Sequence, residues 1–489
     1  MIRSLGMLPG WERFKRIAVP VFLALVALAL GLAMGYLLVS PSASNVMTFV
    51  GVAFCLGAVL VDPKLGLLLW VIISPYARFV PLDIVLGRSI PDLKLDRVIT
   101  LVLAMLWAAQ VAVGRRKGAR VYWSDVFFAA FALFTLVSYS GSPFTLSKAV
   151  QNYWDVWLVP VLAYLMARQL FRSEQDMKRV GVTLGIIGVY MGLLATHEQL
   201  TGVILFYPEN RSVIYTTHIR RVVNLLGNPA TLAACLSIAA PFAARGMVEA
   251  VTRWRRLVWV GVLLIMGMGS LMCYNRSGWL GFVLSLLVMI PFYPRFRKVF
   301  LPVFLVAGVA LLAAWGIVSA TPAVRERLEA QGPIVGRIES YTAALRMAAA
   351  HPILGVGQGN YGKYYSLYAR GVESQYFDPN RRVTASPHNS LLYVLANGGL
   401  VTFLPYIGFI LSSFFITFKF YRRVKERTGR ARGLIVASWG AMVGYLIPCM
   451  GADLVAIPYL SVLCFLVVGA VQGWIFGDGQ ALVAPEAQA

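Results

Sequence analysis

Residues 385–420 read ASPHNSLLYVLANGGLVTFLPYIGFILSSFFITFKF. No Asp, Glu, Lys, Arg or His occurs between Asn389 and Phe418, a length that exceeds the roughly twenty apolar residues needed to cross the hydrocarbon of a bilayer. The stretch therefore reads as a membrane-spanning helix with a single histidine, His388, at its mouth. The residues before it, about 319–387, form the only long polar stretch of the chain, so His388 stands where a polar segment meets lipid.

Similar runs recur on both sides. With 59% hydrophobic and 13% charged residues and a mean hydropathy of +0.72, the 489 residues cannot be arranged as soluble domains with polar surfaces. Lipid-length runs lie near 17–40, 46–62, 65–80, 97–114, 123–140, 149–170, 178–199, 222–243, 256–274, 277–293, 297–318, 399–420, 433–450 and 455–475. They are continuous rather than alternating with period two, which excludes a β-barrel. The second and third are short enough for a re-entrant hairpin. The expected fold is an all-α integral membrane protein, a polytopic bundle of about 12–14 transmembrane helices with one large outer loop containing helices. Its expected parts are an N-terminal bundle over 1–318, the loop over 319–387, C-terminal spans over 388–475 and an inner tail over 476–489. The first run is too long for the core of a cleavable signal and lacks a small-residue cleavage site, so it is expected to stay as an anchor.

A net charge of +23 would suit nucleic acid, but its placement argues for topology instead. With the N-terminus cytoplasmic, the densest basic clusters fall at successive inner loops: Arg115–Lys117, Arg168–Arg179, Arg253–Arg256, Arg295–Lys298 and Lys419–Arg432. No nucleic-acid partner is expected, and some of these cations would touch membrane lipids. On the same count His197, His218, His351 and His388 fall at the outer ends of the spans. So do Arg220, Arg221, Arg276 and the polar loop. Cations on the outer side run against the orienting bias and invite a functional explanation.

Other signals carry less. Cys55, Cys235, Cys273, Cys449 and Cys464 lie in or beside apolar runs without ligand or disulfide spacing and read as small buried hydrophobes. Gly357, Gly359 and Gly362 match a dinucleotide-loop spacing, but what precedes them, Gly336–Ala350, reads as a helix rather than a strand. A tight glycine-permitted turn between two helical pieces is the better reading. His218 and His351 lack carboxylates or thiolates at ligand spacing, so neither a metal nor a cofactor is expected.

A near-neutral base beside arginines at a membrane surface is the equipment for transferring a group from a lipid phosphate to a hydroxyl. Arg276 in Tyr274-Asn275-Arg276-Ser277-Gly278 and Arg337 in Val335-Gly336-Arg337 both open helices on the outer side. Two guanidiniums there would hold a diphosphate through fork-like hydrogen bonds.

Arg276-Ser277-Gly278-Trp279-Leu280, Gly336-Arg337, His351-Pro352-Ile353-Leu354-Gly355-Val356-Gly357-Gln358-Gly359-Asn360-Tyr361 and His388-Asn389-Ser390 together resemble, in this order, the O-antigen ligase and O-antigen polymerase superfamily. The likeness is best over about 220–420, while the earlier spans match only in hydropathy. It implies a bacterial inner-membrane glycosyltransferase, metal-independent and with a periplasmic active site. The donor would be a glycan on undecaprenyl diphosphate, and the acceptor a growing glycan or lipid A–core. Carried onto this chain, Arg276 and Arg337 would bind the donor diphosphate, with Arg220 and Arg221 as auxiliary contacts. His388 would activate the acceptor hydroxyl, and attack on the anomeric carbon would invert its configuration. Tyr361, Tyr365 and Asn389 are candidate glycan or acceptor contacts, although packing is the stronger reading for the tyrosines. The segment Tyr376–Arg382 before the histidine matches no motif of the family.

Ligase and polymerase need the same donor clamp and base, so both readings stand, the ligase first. A flippase or transporter without bond chemistry would place charges well inside several spans and often repeat its halves. Only Asp155 stands out in this way, and no repeat is visible.

Overall fold

A computed structural model describes residues 61–77, 83–84, 92–113, 121–205, 215–216, 219–321, 332–371, 386–424 and 429–483, together with Gly57 and Arg325. The runs expected at 17–40 and, but for Gly57, Val61 and Asp62, at 46–62 lie outside these residues, as do His218 and Tyr376–Arg382.

The chain divides into two units. The first, residues 1–86 and 92–109, contains helix α1 (Pro63–Ala77), a two-residue antiparallel pair of β1 (Asp83–Ile84) with β2 (Leu93–Lys94), and most of α2 (Leu95–Ala112). Within it the Trp70 indole N–H donates to Asp96 Oδ1 at 2.6 Å, tying α1 to the first turn of α2.

The second unit begins with α3 (Trp123–Val137), α4 (Leu146–Asn152), a π-helical turn at Tyr153–Leu158 and α5 (Val159–Leu170). It continues with α6 (Glu174–Thr201), a pair of β3 (Tyr215–Thr216) with β4 (Ile219–Arg220), α7 (Pro229–Glu249) and α8 (Arg253–Met272). Then come α9 (Arg276–Leu287), α10 (Met289–Phe292), α11 (Pro294–Ala313), α12 (Trp315–Ala320), α13 (Gly332–Ala350) and α14 (Tyr361–Tyr368). Helices α15 (Ser390–Arg423), α16 (Gly429–Cys449) and α17 (Pro458–Ile475) complete it. The protein is thus an all-α polytopic membrane protein, and the strands among its described residues are two-residue pairs.

Among the described residues α2, α6, α7, α8, α15, α16 and α17 are long and apolar enough to cross a bilayer, and Pro63–Tyr76, Trp123–Val137 and Arg276–Phe292 are shorter apolar helices. Every run from 65–80 onward corresponds to helix, with one informative shift. The run at 222–243 reads as continuous, yet α7 starts only at Pro229. Glu198, at 1% exposure, accepts the backbone N–H groups of Val223 (3.1 Å) and Asn224 (2.8 Å), and Asn228 caps α7 through the N–H of Ala230. A buried carboxylate thus takes up backbone donors that a longer helix would use internally.

Helix α7 is the hub, packed against α6, α8, α9 and α16. Lipid supplies no hydrophobic force between helices, so close backbone approach through small residues has to hold them. A Cβ at Gly278 would lie 2.3 Å from the Ala233 Cβ, and one at Gly444 2.4 Å from the Ser237 carbonyl oxygen, so glycines admit α9 and α16 against α7. Helix α17 packs on α5 in the same way, Gly469 and Gly473 lying against the Tyr164 and Arg168 carbonyls. The cysteines described, Cys235, Cys273, Cys449 and Cys464, are buried and free.

Candidate active site

Helices α7, α9, α15 and α17 start, and α6, α8 and α16 finish, at the same end of the second unit, because neighbours joined by short turns run antiparallel. At that end the Met450–Ala456 turn is the meeting point. Helix α13 is fastened to it twice: Arg337 donates to the Gly451 carbonyl at 3.1 Å, and Tyr341 OH to the Met450 carbonyl at 2.9 Å. The segment 386–390 clasps the same turn. Ser386 Oγ and the Asn389 N–H (2.9 Å) donate to the two oxygens of Asp453, and Ser390 Oγ donates to the Ala452 carbonyl at 3.0 Å. From the third side Ser277 lies against Gly451, where an added Cβ would come within 2.6 Å of its Oγ.

These contacts gather residues distant in sequence. Asn389 caps α15, its side-chain oxygen accepting the N–H groups of Leu391 and Leu392. That leaves His388 one position outside the helix at φ +49°, in the left-handed region that costs a non-glycine residue about 1–2 kcal/mol. The imidazole is consequently turned outward, its side chain 57% exposed, with Nδ1 3.9 Å from Asp453 Oδ2. Partial desolvation and the Arg337 guanidinium hold its pKa below the usual 6.5, so the ring is mostly neutral at pH 7. Burial pushes the Asp453 carboxyl up to about 7, against the opposing pull of backbone N–H donors that include those of Asn389 and His388.

Arg276 is the first residue of α9, directly after the cap Asn275, whose oxygen accepts the Gly278 N–H at 2.7 Å. Its side chain is exposed at the helix N-terminus, where backbone donors also favour an anion. Arg221 approaches the same turn: Val222 N–H donates to the Met272 carbonyl at 3.5 Å, at the finish of α8. Arg220 closes strand β4. Thus Arg337 and His388 belong to one cluster with Asp453, and Arg276 adjoins it through Ser277.

The candidate glycan contacts lie in the packing of the outer loop. Tyr361 and Tyr365 are 3% and 8% exposed, and their hydroxyls donate to the Ser340 carbonyl and to Glu339 at 2.8 Å each. They pack α14 onto α13, and their rings have no free face for a sugar. Asn389 is 9% exposed and its side-chain oxygen is spent on the helix cap, which fixes the backbone next to His388. His351 lies at the finish of α13 with Nε2 3.3 Å from Tyr368 OH, and no contact links it to Asp453 or Arg337.

The glycine segment acts as backbone packing. Gly355, Gly357 and Gly359 have φ of +65°, +87° and +83°, and the N–H groups of Val356 and Gly357 donate to the Ala396 and Asn397 carbonyls at 2.9 Å. These carbonyls are presented where α15 breaks at Gly399 (φ +64°), and a Cβ there would lie 2.2 Å from the Ile353 carbonyl oxygen. The loop is thereby laid on the helix that begins beside His388.

Asp453 was not among the residues singled out from sequence. The signal was present: it is the one charged residue between the runs 433–450 and 455–475. Among the described residues no group of His, Cys, Asp and Glu has the arrangement of a metal site. No curated protein matches the chain. Residues 261–407, which include Arg276, Arg337, the glycine turn and His388, match the family model described as O-antigen ligase.

Proposed function

We propose that the protein transfers a glycan from undecaprenyl diphosphate to an acceptor hydroxyl, at the periplasmic face of a bacterial inner membrane, as an O-antigen ligase does. The observation that carries this reading is the exposed His388 ring, largely neutral, beside Arg337 and backed by Asp453. With Nδ1 turned toward Asp453, Nε2 is the nitrogen that accepts the acceptor's proton. The freed oxygen attacks the anomeric carbon, the bond from that carbon to the diphosphate oxygen breaks, and undecaprenyl diphosphate departs with the extra negative charge. Arg337 spends one N–H on Gly451 and keeps its others for the diphosphate, and Arg276 approaches from the α9 start. Such fixed cations lower the barrier for a departing anion without reorganisation. Asp453 sets the ring orientation and stabilises the imidazolium as it forms.

Purified protein in detergent with a lipid-linked oligosaccharide and an acceptor glycolipid tests the reading. The expected result is acceptor glycosylation coupled one to one with release of undecaprenyl diphosphate. Donor consumption without a glycosylated acceptor, or no turnover with any lipid-diphosphate donor, would overturn it.

A further inference from the structure

The end of the second unit opposite His388 contains a cleft that the transfer reaction does not use. Helices α6 and α8 touch backbone to backbone near the His388 end: a Cβ at Gly269 would lie 2.9 Å from the Gly192 Cα, and one at Gly192 2.6 Å from the Ile265 carbonyl oxygen. About three turns earlier in α6, a Cβ at Gly181 would meet nothing within 4 Å. The two helices therefore splay, and the Trp259 ring wedges into the gap, within 3 Å of the Cβ positions of both Gly185 and Gly246. What remains is a cleft of about 860 Å³ between α6, α7 and α8, walled by aliphatic side chains such as Val182, Ile186 and Val258. These are 46–51% exposed and lie within two helices long and apolar enough to cross a bilayer.

The mouth of the cleft is cationic. Lys178, Arg245, Arg255 and Arg430 line it against two carboxylates, Glu174 and Glu249. The carboxylates are already matched within α6 and α7, Glu174 to Lys178 at 3.4 Å and Glu249 to Arg245 at 2.9 Å. Arg255 and Arg430 supply the surplus positive charge, both exposed at helix starts. Trp254 beside them is 73% exposed, a residue type that favours the boundary between headgroups and chains. Apolar walls under a surplus of two guanidiniums are complementary to a ligand with hydrocarbon tails and a phosphate diester.

We propose that this cleft binds one anionic diacyl phospholipid, its chains along the α6–α8 gap and its phosphate between Arg255 and Arg430. The site is independent of glycan transfer and is read by binding alone. Delipidated protein is incubated with equimolar phosphatidylglycerol and phosphatidylcholine of the same chains, and retained lipid is counted by native mass spectrometry. One phosphatidylglycerol per chain should be retained in preference. Arg255→Ala with Arg430→Ala should lower its retention roughly tenfold or more and abolish the preference. Gly181→Trp fills the gap and should expel both lipids while leaving the thermal midpoint in detergent unchanged, because open space receives the ring. Equal retention of the two lipids by the wild type, unchanged retention by the arginine pair variant, or displacement of phosphatidylglycerol by equimolar undecaprenyl phosphate would overturn the proposal.

Discussion

Asp453 and His388 are 65 positions apart in the chain, yet Oδ2 of the first lies 3.9 Å from Nδ1 of the second, and the other oxygen, Oδ1, accepts the N–H of Asn389 at 2.9 Å. One carboxyl therefore holds the backbone beside His388 through the Asn389 N–H and lies near the imidazole, just beyond hydrogen-bond distance. Apo separations of this kind shorten when substrate excludes water.

Asp453→Asn preserves shape and most hydrogen bonding but cannot stabilise an imidazolium. Turnover should drop at least about tenfold, the weight of about 1.4 kcal/mol of transition-state stabilisation, with donor affinity little changed. An unaltered turnover in the reconstituted assay would remove Asp453 from the mechanism.

His388→Gln should cost roughly two to four powers of ten in turnover, as expected for a lost general base. Binding of the lipid donor, measured by equilibrium titration, should be nearly unchanged because the arginines remain. His351→Ala should leave the rate per folded molecule close to wild type, since the imidazole meets Tyr364 and Tyr368 and the backbone bonds of His351 survive the substitution.

Arg276→Ala and Arg337→Ala should each reduce transfer strongly, and lysine at either position should rescue only in part, because a point charge cannot reproduce a planar fork. Chelators should leave the wild-type rate unchanged. Loss of activity in EDTA with recovery in Mg²⁺ would assign the charge compensation to a metal instead.

The pH dependence has two expected signs. The pKa of His388 is held below 6.5, so the acid limb of the rate profile should lie below that value, and Asp453→Asn should move it. Asp453 is raised from 3.8 to about 7, so the folded state binds the proton more tightly than the unfolded chain. Its contribution to stability is therefore greatest below pH 3.8 and is lost as the pH rises from there through about 7. Midpoints of urea unfolding between pH 5 and 8 should decline less steeply with pH in Asp453→Asn than in the wild type.

In a cysteine-free background, Lys363→Cys on the loop should react with a membrane-impermeant thiol reagent applied from outside the inner membrane, whereas Arg423→Cys should not. The reverse pattern would place the His388 end in the cytoplasm and sink the functional reading.

The membrane class, the helical spans from residue 65 onward and the three separate motifs around Arg276, Arg337 and His388 were legible in the sequence. Hydropathy and helix caps are local: twenty apolar residues bury themselves in lipid whatever follows, and an Asn before a helix caps its own next turn. What the tertiary structure decided was everything that needs a partner far along the chain. Glu198 delays the start of α7 by claiming the N–H groups of Val223 and Asn224, which no periodicity records. Tyr361 and Tyr365 turn inward because Ser340 and Glu339 meet their hydroxyls, partners that lie 21 and 26 residues away and that no local pattern records. Asp453 joins His388 only because the α16–α17 turn is brought against the α15 start. A burial-raised carboxyl cannot be read before burial itself is known, since its pKa depends on which groups exclude water from it.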